Sequence, residues 1–134
     1  MKDLMKSNIY DCSNEIIVVG SCLKSMQPTA FQELENLNLP IFELCLEQTH
    51  INIAITKVLG MIRAKNISKI IFASVDKSPH CIQLHYLQDE ITKLGFNIEF
   101  VNFVAVDNKL IKIEKDIISL SKNLSKLSDL LNKK

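Results

Sequence analysis

A chain of 134 residues, 47% hydrophobic and 23% charged, suffices for one domain with its own core and is too short for a second full one. Sixteen basic against fifteen acidic residues leave a net charge of +1, and Arg63 is the sole arginine, which argues against a phosphate-tracking nucleic-acid surface. No apolar run reaches the length of a membrane span and residues 1–14 are polar, so the expectation is a cytoplasmic chain with no membrane contact.

In chain order, residues 1–14 show no period and are expected to form a flexible arm, leaving 15–134 as a single α/β domain. Ile16 to Gly20 is a β-branched run stopped by glycine, the pattern of a strand buried on both faces. After Pro28, Phe31, Leu34 and Leu37 recur at helical spacing, and Ile41 to Cys45 reads as a second strand. Thr49 is placed to cap a helix from His50 to about Lys65, with Ile51, Ile55, Val58, Leu59 and Ile62 facing inward and Asn66 as the stop.

Lys69 to Val75 is a third buried strand. Ser78 and Pro79 then suit an N-cap and a first helical position, opening a helix with Leu84, Leu87, Ile91 and Leu94 on one face and Gly95 as its stop. Asn97 to about Val106 gives a fourth strand, and Asp107-Asn108-Lys109 suits a hairpin into an antiparallel edge strand. From Glu114 to about Leu131, apolar residues step by three and four. Docking on the sheet is the expected role of this helix, with a helix–helix seam to a second copy or a redox partner as the alternative.

Strand–helix alternation of this kind predicts a three-layer, Rossmann-like (flavodoxin-like) α/β fold, its four parallel strands in the order second, first, third, fourth. Ligands of such sheets bind beyond the strand C-termini, where the order reverses. The chemistry-bearing residues fall on that edge: Ser21 and Cys22 after the first strand, Cys45 and His50 around the turn after the second, and Ser74, Asp76, His80 and Cys81 after the third. Cys22 and Cys81 are expected to face each other across the crevice.

Cys12, Cys22, Cys45 and Cys81 are too widely spaced for a disulfide-stapled secreted domain, and are read as thiols or ligands. Cys45, inside a strand, reads as core filler. Cys81 at a helix start is favoured as thiolate, and His85 one turn later shares its face as a candidate general base, making the two the candidate catalytic pair. Cys22, His50, Cys81 and His85 form a candidate four-ligand set for zinc or an iron–sulfur cluster, although no C-x-x-C occurs. Ser21, Cys22, Asp76 and Ser78 are the candidate cofactor contacts, Asp76 also being placed to orient His80. The scarcity of glycine, with no arginine after Cys22 and no G-x-G-x-x-G, argues against a cysteine phosphatase and a standard dinucleotide site.

Gly20-Ser21-Cys22, the segment from Cys45 to His50, and Val75 to His85 together resemble a poorly characterised group of small proteins from anaerobes described as iron–sulfur or ferredoxin-associated. The resemblance spans about residues 16–113 and implies a redox setting with the edge residues as its site. The closely spaced cysteines of a ferredoxin module are missing. The leading expectation is thus a redox-associated protein that binds a metal or cluster or uses a reactive thiol, whether or not it is an enzyme. The alternatives are a non-catalytic anion- or nucleotide-binding module, using helix N-termini at one edge, and an interaction subunit.

Overall fold

The computed structural model describes residues 1–79 and 81–132. Its strands are β1 (Lys2–Asp3), β2 (Glu15–Gly20), β3 (Ile41–Leu44), β4 (Lys69–Val75), β5 (Glu99–Val106) and β6 (Lys109–Ile113). They form one sheet in the order β1-β3-β2-β4-β5-β6, parallel except for the antiparallel β5–β6 pair. The helices are α1 (Leu23–Met26), α2 (Pro28–Glu35), α3 (Ile51–Lys65), α4 (Ile82–Lys93), α5 (Lys115–Ser121) and α6 (Leu124–Asn132). None of these is long and apolar enough to cross a membrane.

The β-branched runs make central strands because both faces are covered. On β2, Ile16 and Val18 enter a core beneath α3 and α4, while Ile17 and Val19 pack against α1 and α2 on the other side. All four are fully buried, each burial stabilising by roughly 1.5–3 kcal/mol. β4 alternates in the same way, Phe72 joining the α3–α4 layer and Ala73 the α1–α2 layer. The chain leaves β2 for β3 on one side and returns to β4 on the other, so the order reverses between β2 and β4, as the α/β alternation predicts.

The expected hairpin is present. Asp107 and Asn108 hold φ of 52° and 60°, the two consecutive left-handed residues of a tight two-residue turn, and the Asn108 N–H donates to Gln27 Oε1 at 2.6 Å. Asn66, at φ 49°, ends α3 as expected. The cap of that helix is not Thr49 but His50, whose Nδ1 accepts the Asn52 N–H at 3.2 Å. In its stripe Ala54 and Met61 are buried where Ile51, Ile55 and Leu59 are only half-buried.

Two expectations fail at the ends of the chain. Residues 1–14 are not a loose arm: β1 extends the sheet by pairing with β3, Leu4 is fully buried, and Cys12 is buried with its thiol donating to the Ile9 carbonyl. Lys57 Nζ adds a 2.6 Å bond to the Ser7 carbonyl. The segment is held by a few well-placed contacts rather than by a repeating apolar pattern.

The C-terminal helix is broken at Lys122–Asn123 into α5 and α6. α5 docks through buried Ile118, a Tyr86–Ser121 hydroxyl pair and a Lys122–Asp89 ion pair, whereas α6 buries no residue. The polar contacts of α5 are thus with α4 rather than with the sheet on which docking was expected, and they do not extend to α6.

Candidate functional site

The switch-point edge is where β2 ends at Gly20 and β3 at Leu44. Ser21 N–H bonds to the Leu44 carbonyl, which turns the chain and sets Cys22 just ahead of α1. From the far side of the crevice, Ser78 shapes the entry to α4. Its Oγ accepts the Cys81 N–H at 3.2 Å and its carbonyl accepts the Ile82 N–H at 3.2 Å. Ser78 thus holds the entry to α4, but the N-cap is Cys81 rather than Ser78, and the helix begins at Ile82 rather than at Pro79.

The consequence is that the Cys22 and Cys81 sulfurs stand 3.4 Å apart across the crevice, as expected from the fold. Gly20 makes this possible: a Cβ there would lie 2.8 Å from Cys81 Sγ, so the sulfur fills the space a side chain would take. A cavity of about 240 Å³ opens over the pair, lined by Gly20–Cys22, Leu44–Glu47, Ser78, Cys81 and Leu84. Burial pushes the Cys22 thiol up from 9.0 to about 11, reinforced by its contact with Cys81 and, more weakly, by Cys45 nearby.

Cys45 is thus a residue of the site, against its reading as core filler. It follows β3 at the same edge as Cys22 follows β2, and that register is the signal that was available.

His85 is not the partner of Cys81. The α4 turn directs it under the helix, where Nε2 meets Ser74 Oγ at 2.7 Å and Nδ1 meets Asn102 Oδ1 at 2.8 Å. Asn102 Nδ2 continues the chain to Gln88 Oε1 at 3.0 Å. An amide oxygen only accepts, so Nδ1 carries the ring proton and Nε2 accepts the Ser74 hydroxyl hydrogen. Burial holds the His85 pKa below its ordinary 6.5, opposed in part by the bond to Asn102. The sequence signal for this network was Asn102, a polar residue between Val101 and Phe103 in the otherwise apolar run from Phe100 to Val106.

His50, exposed and engaged in capping α3, is not among the residues lining the thiol cavity. These placements break up the set Cys22, His50, Cys81 and His85, leaving two of its members in contact. Among the described residues no three His, Cys, Asp or Glu side chains converge as a metal ion requires. Of the candidate cofactor contacts, Ser21, Cys22 and Ser78 line the thiol cavity, while Asp76 lies on a neighbouring one with Ser74 and Lys77. The expected Asp76–His80 pair involves His80, which lies outside the described residues.

A mostly parallel sheet covered on both faces, with its reactive side chains at the reversal of strand order, defines a doubly wound α/β domain. A family model described as a Rossmann-like domain matches residues 12–133, and the chain belongs to that family. No curated protein and no solved structure matches it.

Proposed function

We propose that the protein is a dithiol redox domain in which Cys22 and Cys81 cycle between two thiols and one disulfide. The 3.4 Å separation of the two sulfurs beneath an open cavity carries this reading. The pair gives two electrons and two protons to a disulfide substrate, which leaves as two thiols while a Cys22–Cys81 bond forms. A thiol with a pKa near 11 is a poor leaving group, which favours the oxidised pair and makes the dithiol a reductant.

Equilibration in graded mixtures of reduced and oxidised dithiothreitol, with free thiols counted by alkylation and mass spectrometry, tests it. A two-electron transition confined to Cys22 and Cys81 is expected, absent in Cys22→Ser and in Cys81→Ser. Failure to form that bond under fully oxidising conditions would sink the proposal.

The interaction-subunit reading is supported separately by α6, whose Leu124 and Leu131 are 78% and 70% exposed. Its opposite charges Lys126 and Asp129 allow two antiparallel copies to pair. Sedimentation of the full chain against a chain ending at Asn123 checks this, and a full chain monomeric at high micromolar concentration would count against it.

A further inference from the structure

We propose a second reactive centre, independent of the thiols, in which Ser74 is a nucleophile toward acyl esters, with His85 as its base and Asn102 as the residue that positions the imidazole. Ser74, His85 and Asn102 are 2%, 3% and 3% exposed and are joined by bonds of 2.7 and 2.8 Å. The direction of those bonds is the one a serine nucleophile needs. Asn102 fixes the proton on Nδ1, and Nε2 is left to take the Ser74 hydrogen.

Two members of the network also border a cavity. Ser74 lies at the C-terminal end of the central strand β4, and both it and His85 line a cavity of about 340 Å³ whose walls include Val75, Ile82 and Val104. These apolar walls suit a short acyl chain. Lys77, held at φ 70°, and Ser78 line the same cavity. Neither N–H has an acceptor among the described residues, which leaves both free to donate to an oxyanion that forms in this cavity.

In the reaction Ser74 Oγ bonds to the ester carbonyl carbon and its proton moves to His85 Nε2. The bond to the leaving alcohol breaks as Nε2 returns that proton to the departing oxygen. Water then adds to the acyl-serine, again with His85 taking and returning one proton, and a carboxylic acid leaves with Ser74 restored.

Treatment of the intact protein with a fluorophosphonate, followed by peptide mass mapping, tests the proposal. The expected result is one adduct on Ser74, with fluoride lost, and none in Ser74→Ala of unchanged melting temperature. Labelling at Ser74 falls at least tenfold in Asn102→Leu and is restored in Asn102→Asp, which keeps the acceptor at Nδ1. p-Nitrophenyl acetate gives an ester-hydrolysis signal whose Ser74-dependent part disappears in Ser74→Ala. A wild-type chain left unlabelled at Ser74, under conditions that saturate a control serine hydrolase, overturns the proposal. Undiminished labelling in His85→Gln overturns the role of the base.

Discussion

At Cys22 burial and a neighbouring sulfur act in the same direction, and the raised pKa has a kinetic consequence. A rise from 9.0 to about 11 cuts the thiolate fraction near neutral pH, while the scarcer thiolate is intrinsically more nucleophilic, so alkylation slows by about tenfold rather than a hundredfold. Site-resolved iodoacetamide kinetics at pH 8 against a free cysteine peptide measure this. Gly20 is the other residue on which the pair depends. Gly20→Ala drives a methyl against Cys81 Sγ and is expected to cost about 1–3 kcal/mol, read by urea denaturation, and to slow disulfide formation between Cys22 and Cys81.

His85 titrates in the opposite sense to a paired surface histidine. The unfolded chain takes up its proton near pH 6.5 and the folded chain only at lower pH, so stability is complete above pH 6.5 and is lost as pH falls from there through the depressed folded value. Melting temperatures between pH 5 and 7.5 are expected to carry a component of acid sensitivity that His85→Gln removes.

Among the elements, α5 and α6 show where the apolar pattern and the available partner separate. The stripe from Ile117 to Leu131 has helical spacing throughout, yet only α5 meets the body, through Ile118 and through side chains of α4. Because α6 buries nothing, ending the chain at Asn123 is expected to change unfolding free energy by no more than about 0.5 kcal/mol in chemical denaturation. The N-terminal segment is the converse case. Its polar composition hides a strand of two residues and one fully buried leucine, Leu4, whose value depends on β3 having an open edge for β1 to pair with.

For the whole molecule, a Cys22–Cys81 bond would join residues 59 apart in sequence, from the end of β2 to the start of α4. A loop of that length removes enough unfolded-chain entropy to stabilise by up to about 4 kcal/mol. Guanidinium unfolding with and without reductant is expected to show the oxidised form more stable, with the difference abolished in Cys22→Ser.

The layer order, the strand limits of β4, the hairpin at Asp107–Asn108 and the meeting of Cys22 with Cys81 were all legible in the amino-acid sequence. Those follow from short-range periodicity, turn residues and the handedness of crossovers, all of which act locally along the chain. Contacts in the folded structure settled that His85 turns to Ser74 and Asn102, that His50 caps a helix and that α6 lies uncovered. A shared helical face tells which residues point the same way. It does not tell which polar groups from other strands wait beneath that face, and a buried imidazole goes where both its nitrogens find partners.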